Sequence, residues 1–593
     1  GRYRGMDKKI HTAIDYNRYT VFSLWDTFRA YHPLMNKLQP ERTRDWIVTF
    51  LEMYKERGEL PVWELAGNET YCMIGYHSIP VITHAYLEGI QDFDTELALE
   101  AMIAAANGPQ QEKKDYDLYG FVPGDMHSES VSKTLEFAYD DYCIARFARA
   151  LDKPDVYKKF LKRSQNWKNV YDPKTKFMRA RRNGGFTEPF DPFQVNFNYT
   201  EANSWQYSLF VPHDMTTLMT YMGGKDSLLT WMDRLFHAAE QTTGREQADI
   251  TGLIGQYAHG NEPSHHVAFL YDALSRGTDK PVHFTDSITS SLYMPTPEGL
   301  CGNEDCGQMS AWYVMAMLDQ YYLNPDCVLR TGEDAARYPD TYSLLGATSR
   351  VFQHLITPAP IIRGPQTSFT SRISIEIDNA EPGVRTKVEL TEEGSQPKTF
   401  IYSGPFSIEN NSTVTAWAEK EGYEKSKTVT ANFVKRNADR KIKSITSYDS
   451  QYAAGGQDAM IDGMRGGTDF RTMHWQGFQG KDVEIVVDLG KPDSVSYLSL
   501  SSYQDIKPWI WTPSEVQYYL SRDGINFYPV GKVVSEVPDN EVSIQLYEFR
   551  LNIDPQKARY VKAIAKPAFE TIPEWHLGAG GKPWIFLDEL IVR

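Results

Sequence analysis

The hydrophobic period changes part-way along this chain. Up to about residue 345 apolar residues recur at helical spacing, and from about residue 366 they alternate with polar ones. A helix buries a 3.6-residue stripe and a half-buried strand buries every second residue, so one layer cannot serve both patterns. The chain has to divide. In the first part, Asp45 to Lys55 has helical spacing and stops near Gly58. Similar stretches run from Thr95 to Ala106, Ser130 to Leu151, Asp155 to Val170, Lys225 to Ala239, His265 to Leu274 and Ser310 to Leu318. Polar, glycine- or aromatic-rich loops separate them. The expectation for 1–365 is an α/α toroid, helix pairs ringing a funnel, with the chemistry on loops at one end.

The second part predicts sandwiches. Ile373 to Ile377 and Thr413 to Ala418 alternate, with turns marked at Pro382-Gly383 and Gly404-Pro405. This gives a small β-sandwich over 366–436. Strands predicted at Val483 to Leu489, Val495 to Ser501, Val516 to Ser521, Val542 to Leu551 and Tyr560 to Ala565 give a second sandwich over 437–593. Trp509 and Trp511 read as core.

Bulk properties exclude several classes. At about 150 residues per domain, 593 residues suggest roughly four domains, although a large helical barrel counts as one. The net charge is −16 and no basic tract is present, which argues against a nucleic-acid partner. Aromatics reach 13%, which suits sugar faces and ordinary cores alike. The five cysteines form no CxxC pair, and Cys301 and Cys306 could meet across a turn, but an odd count is no disulfide framework. No run of about 18 apolar residues spans a membrane. No signal segment is visible in this chain.

Several loops carry chemistry. Gly302-Asn303-Glu304-Asp305-Cys306-Gly307 sets two acids side by side before an apolar run, where Ser310 is a candidate helix cap. Asn198 to Tyr207 places Glu201 among aromatics, where desolvation raises a carboxyl pKa and suits a general acid; a glutamate in a polar loop or cap is the alternative. Asn261-Glu262 offers oxygens to a hard cation such as calcium, although Asn-Glu-Pro also simply starts a helix. His265 and His266 invite zinc, but no Cys or HExxH spacing supports it. Leu24 to Arg29 and Trp63 to Thr70 add further acids beside aromatics, as in a polyol pocket or in buried salt bridges.

Together these stretches carry a resemblance. FSLWDTFR (22–29), WELAGNET (63–70), MIGYHSIP (73–80), TLEFAYDDY (134–142), YTEANSWQY (199–207), HGNEPSHH (259–266) and GNEDCGQMSAWY (302–313) resemble, in order, the catalytic core of family 92 glycoside hydrolases. These are calcium-dependent exo-acting α-mannosidases on an (α/α)6 toroid. The resemblance implies inversion, with Glu201 as general acid and Asp305, or else Glu304, as the base that activates water. Inversion needs room for that water, about 6.5–9.5 Å between the carboxyls. It also implies a Ca2+ that binds sugar hydroxyls and helps distort the ring, with Asn261, Glu262, Gln206 and Asn203 as candidate ligands. Trp25, Asp26, Glu69, Trp205 and His259 are candidate sugar contacts.

The family's N-terminal β-sandwich is absent from these residues, and another chain is one source for it. The stretch from Leu318 to Ile362 departs from the family pattern. Residues 366–435 resemble the small sandwich of chitobiase-type enzymes, through Tyr402 to Phe406. The C-terminal residues resemble a discoidin-type (coagulation factor 5/8 C-terminal) domain, through Ile461-Asp462-Gly463 and Ser521 to Gly524. Such domains often bind glycans, so a second glycan ligand is expected there, with a ligand-free spacer as the alternative.

The expected function is a hydrolase that removes terminal mannose from N-glycans or mannan outside the cytoplasm. A glycan phosphorylase or a mannosyl-phosphate-cleaving enzyme on the same barrel is the second reading. The presence of both Glu304 and Asp305 weighs against the phosphorylase, and retention of Glu201 weighs against the mannosyl-phosphate-cleaving variant. A catalytically silent glycan-binding protein is the third, and intact carboxylates weigh against it.

Overall fold

The computed structural model describes residues 1–279, 283–331, 355–365 and 368–593. The first region is helical. Pro40–Arg57 begins with proline in its first turn and ends at Gly58, whose φ of 84° is left-handed. Thr95–Ala106 begins where the Asp94 carboxylate accepts the Leu97 N–H. The long Ser130–Ala150 helix is buried along most of its length. It packs against Ser78–Leu87 and Pro154–Arg163.

The helix predicted over 155–170 is shorter than expected. It ends at Arg163 and tightens into a 3₁₀ turn, Ser164–Asn169. Ser164, Gln165, Asn166 and Asn169 supply side chains that compete for backbone groups, and Ser164 Oγ donates to Leu161 O at 2.9 Å.

The small sandwich starts earlier than expected. Ile361–Arg363 pairs antiparallel with Ile373–Asp378, so this strand belongs to the sandwich and not to the helical region. The expected boundary at 366 itself lies outside the described residues, as does most of the divergent stretch after Leu318. A four-stranded sheet packs beside it in the order Lys398–Ile401, Arg385–Glu392, Ser412–Glu419, Val429–Phe433. Val414, Ala416 and Ala418 point inward, as the alternation requires.

This sandwich shares one apolar core with the helical region. Asn183 Nδ2 donates to Asn432 O at 2.8 Å and Asn432 N–H returns to Asn183 Oδ1 at 2.7 Å. Arg363 Nη2 reaches Asp172 at 2.7 Å.

The C-terminal domain has its own core, with Ile485, Leu500, Tyr518 and Phe549 at its centre. Its sheet is antiparallel. Pairs of expected strands are joined: Val483–Gln504 and Gln545–Lys566 each run continuously, with register shifts between Asp488 and Asp493 and between Val495 and Tyr497. Such irregularities bend a strand without ending it, which is why the polar break at 490–494 looked like a turn. Trp511 is core, as expected. Trp509 is not: it is 40% exposed, and its φ of 70° turns it outward. All five cysteines are free, including Cys301 and Cys306. Among the described residues no helix is long and apolar enough to cross a membrane.

The helical core also contains charge. Arg163 donates to both carboxylate oxygens of fully buried Asp141, at 2.8 and 2.9 Å. Removing the arginine strands the carboxylate. Arg163→Met should destabilise the protein by about 3–5 kcal/mol, read as a lower urea midpoint. A loss below about 1 kcal/mol would show the pair to be dispensable.

Candidate active site

Four loops converge on one cleft of about 90 Å³, lined by Trp25, Asp26, Trp63, Glu201, Asn261, Glu262 and Asp305, with Ser23, Met73, Asp249, Gly260 and Asn303 at its edges.

The first loop follows the pairing of Phe22–Ser23 with Trp63–Leu65. The strand leads into a short turn carrying Trp25 and Asp26. The Trp25 indole N–H donates to Glu136 Oε1 at 3.0 Å. Glu136 also takes the Tyr207 hydroxyl at 2.9 Å and faces His77 at 2.9 Å, while His77 faces Asp140 at 2.9 Å on its other nitrogen. Burial pulls the His77 pKa down, but the carboxylates of Asp140 and Glu136 prevail and hold it at about 9. Glu136 and Asp140 of 134–142 and His77 of 73–80 are therefore scaffolding beneath the cleft floor.

Glu69, expected at the sugar, faces away. Its oxygens accept the N–H groups of Val62, Trp63 and Tyr71 at 2.8–2.9 Å. It shapes the loop that presents Trp63. Trp63 lies in the same motif but was not singled out.

The second loop carries Glu201 with a left-handed backbone, φ 49°. Asn261 Nδ2 donates to its carbonyl at 2.9 Å and to its carboxylate at 3.4 Å. Burial, with the Asp249 charge next, raises the Glu201 carboxyl to about 7. Asp249 lies before the 259–266 motif, outside every stretch that carries the resemblance, which is why sequence reasoning passed over it. Asn203 and Gln206 do not reach the cleft. They form a reciprocal helix cap: Gln206 N–H to Asn203 Oδ1 at 3.3 Å, and Asn203 N–H to Gln206 Oε1 at 2.9 Å. Each oxygen accepts one bond in that cap. Trp205 is core, packed edge-on to Phe177 with ring centres 4.6 Å apart.

The third loop holds Asn261 at the start of a 3₁₀ turn, Glu262–Ser264, that feeds the His265–Ser275 helix. Asn261 Oδ1 accepts the Glu262 N–H at 3.3 Å, so its amide links the acid's loop to Glu262. His259 is fully buried, 2.9 Å from the Tyr257 hydroxyl and 2.8 Å from that of Tyr293. It lies in the core and does not line the cleft. Burial lowers the pKa values of His265 and His266 to about 3 and 4, and each faces a backbone carbonyl.

The fourth loop is a run of left-handed residues, with φ 53° at Asp305, 57° at Cys306 and 103° at Gly307. Gly302 has to be glycine, because a Cβ would lie 2.8 Å from Gly260 O across the cleft edge. The helix begins at Gln308, so Ser310 is inside it and is not its cap. Glu304 does the capping. It accepts the Gly307 N–H at 2.5 Å, the Ser310 N–H at 3.3 Å and the Ser310 hydroxyl at 2.8 Å. That leaves Asp305 as the acid of the pair that faces the cleft. Gln308 Oε1 accepts the N–H groups of Ala30 and Tyr31 at 3.0 and 3.2 Å, tying this loop to the first.

Asp26, Glu262 and Asp305 meet. Each offers an oxygen, and these atoms lie within 4.8 Å of one another. Glu262 is 1% exposed and neither of its oxygens meets an N–H or O–H donor. Burial pushes the pKa values of all three upward; repulsion within the cluster adds to this at Asp26 and Glu262, where the Arg29 guanidinium opposes it only in part, while at Asp305 the Asp249 and Glu304 charges add to it and contact with Glu262 opposes it. A hard, all-oxygen donor set with unpartnered buried atoms fits a divalent cation such as calcium.

Three family models match the chain. The glycosyl hydrolase family 92 catalytic domain matches residues 1–327, the Fn3-associated model 375–433, and the F5/8 type C domain 441–576. Among solved structures, the family GH92 α-mannosidase of Bacteroides thetaiotaomicron in complex with mannoimidazole is 40% identical, with a TM-score of 0.52; the match covers 55% of this chain and 44% of that one. The same α-mannosidase without the mannoimidazole matches at 41% identity and the same TM-score. An uncharacterized secreted glycosidase of Arthroderma benhamiae is 27% identical over 320 residues, 46% of this chain and 38% of that protein. The chain thus spans less than half the length of these relatives. With the catalytic model covering more than half of the chain, and with its candidate acids gathered on one cleft, the chain belongs to glycosyl hydrolase family 92.

Proposed function

We propose that this protein is an exo-acting, inverting α-mannosidase that removes terminal mannose from N-glycans or mannan outside the cytoplasm. The observation that carries this reading is the pairing, in one cleft, of a glutamic acid raised to about 7 with a buried carboxylate cluster whose Glu262 oxygens have no donors.

Glu201 is the general acid. Its raised pKa keeps a proton available near neutrality for the departing glycosidic oxygen. Asp305 is the base, drawing a proton from the attacking water on the opposite face of the sugar. Trp63, which is partly exposed, offers an aromatic surface to the ring, and buried Trp25 backs the cleft wall. Asp26, Glu262 and Asp305 are the residues that would hold calcium. When bound, the ion balances their charge and offers open positions to vicinal sugar hydroxyls.

The helices are proposed to close as the family's (α/α)6 toroid. The cleft is far smaller than the ~300 Å³ of an ordinary small-molecule pocket, so a further wall is proposed to complete it, from the family's N-terminal sandwich or another chain. A second glycan ligand is proposed for the C-terminal domain.

Glu201→Gln should lower turnover of mannosides with poor leaving groups by about 10²–10⁴-fold and spare activated aryl mannosides. The wild-type rate on poor leaving groups should fall as pH rises through about 7, because the acid form of Glu201 is lost, and the variant should lack that limb. An unchanged limb in the variant would assign the acid elsewhere. Exhaustive chelation should abolish mannose release and added calcium should restore it, while Glu262→Gln should weaken the calcium requirement's apparent affinity at least tenfold. Full activity in chelator would remove calcium from the account. Glu304→Ala should cost stability but retain turnover, whereas Asp305→Ala should lose at least about a hundredfold; the reverse ranking would make Glu304 the base.

A further inference from the structure

The loop that carries Glu201 is anchored on the C-terminal domain. Phe197, four residues before Glu201, stacks on Tyr452 with ring centres 5.9 Å apart and planes 14° from parallel. Tyr452 is fixed in its own domain against Phe470, Trp584 and Phe586. The Arg245 guanidinium lies 4.9 Å from the Phe197 ring centre, and the Arg245 N–H donates to Val195 O at 3.0 Å.

A second link runs in parallel. Asp469 of the C-terminal domain accepts the Ser128 N–H at 2.9 Å, and Arg471 orients it at 2.9 Å. The next residue, Glu129, has a left-handed φ of 57° and holds the acid's loop from below. Its N–H donates to Phe197 O at 2.5 Å, and its carboxylate accepts the Thr200 hydroxyl at 3.0 Å. Val131 N–H donates to Asn198 O at 3.0 Å, and Thr200 N–H to Ser132 Oγ at 2.9 Å. Glu201 follows with its own left-handed backbone, a conformation that persists in a non-glycine residue only when its surroundings hold it.

We infer that the C-terminal discoidin-like domain is a structural part of the active site: Tyr452 and Asp469 are positioning residues that fix the loop presenting Glu201. The inference rests on the proposed role of Glu201 as the acid. Neither residue touches the reacting atoms. Each acts through the segment 196–200, and a displacement of about 1 Å in an acid's position can cost on the order of a hundredfold in rate. The domain is thus more than a tethered module, because its removal would free the face on which Phe197 rests.

The test uses the full chain with Asp469→Ala and Phe197→Ala, each backed by a milder change, Asp469→Asn and Phe197→Leu, in case the first does not fold. Ile525→Ser, on an 80% exposed residue of the same domain, is the control. Amide hydrogen exchange across 196–201 should quicken at least tenfold in the variants and stay unchanged in the control. On mannosides with poor leaving groups kcat/KM should fall about ten- to a hundredfold, mainly in kcat, while dinitrophenyl mannoside, which needs little acid assistance, should change less than about twofold. Unchanged exchange in every folded variant overturns the inference, as do equal losses on both substrates. Faster exchange in a protein that turns over neither substrate supports the coupling and removes only the proposed function.

Discussion

Three carboxyls share one buried spot, and the surrounding loops are built to keep them there. Asp26, Glu262 and Asp305 come from segments far apart in sequence, and their oxygens lie within 4.8 Å of one another. Carboxyls this close in a poorly solvated site resist ionising together, which is why burial raises the pKa values of all three, and rigid loops keep them in place. Gln308 locks the Asp305 loop to the turn after Asp26, and the close approach of Gly302 to Gly260 locks it to the Glu262 loop. The unpartnered oxygens of Glu262 are the cost of that design, and they are what supports the proposed cation.

Below the cleft, a second set of buried charges is fully paired. Glu136, His77 and Asp140 form a chain under Trp25, and Arg163 balances Asp141. The contrast is informative. Paired charges make a stiff floor, whereas charges without partners mark where something binds. The two accessory domains differ in the same way. The small sandwich is fused through a continuous apolar core, while the C-terminal domain keeps its own core and meets the helical region through a few directed contacts beside the Glu201 loop.

Much of this was legible in the sequence, and the misses have physical causes. Period changes marked the helical and β regions, and Gly58 marked a helix end, because backbone preferences act locally. Glu201, Asp305 and Glu262 stood out as acids among aromatic, glycine and amide residues, and each lies on the cleft. Glu69, Trp205, Asn203, Gln206 and His259 have the same chemistry but turn inward to caps, loops and core. Side-chain direction is set by tertiary packing, which composition does not encode. Trp509 and Trp511 make the point at closest range: two residues apart, one is exposed and the other buried, because a left-handed backbone at Trp509 turns it out. Asp249 was missed because only its contact with the cleft distinguishes it.

Glu201 and Asp305 are proposed to act on opposite faces of a terminal α-mannoside. The anomeric form of the first-released sugar tests this most directly. Proton NMR recorded during the first minutes of hydrolysis, before mutarotation, should show β-mannose appearing ahead of α-mannose. Release of α-mannose first would contradict inversion and the assignment of Asp305 as the base.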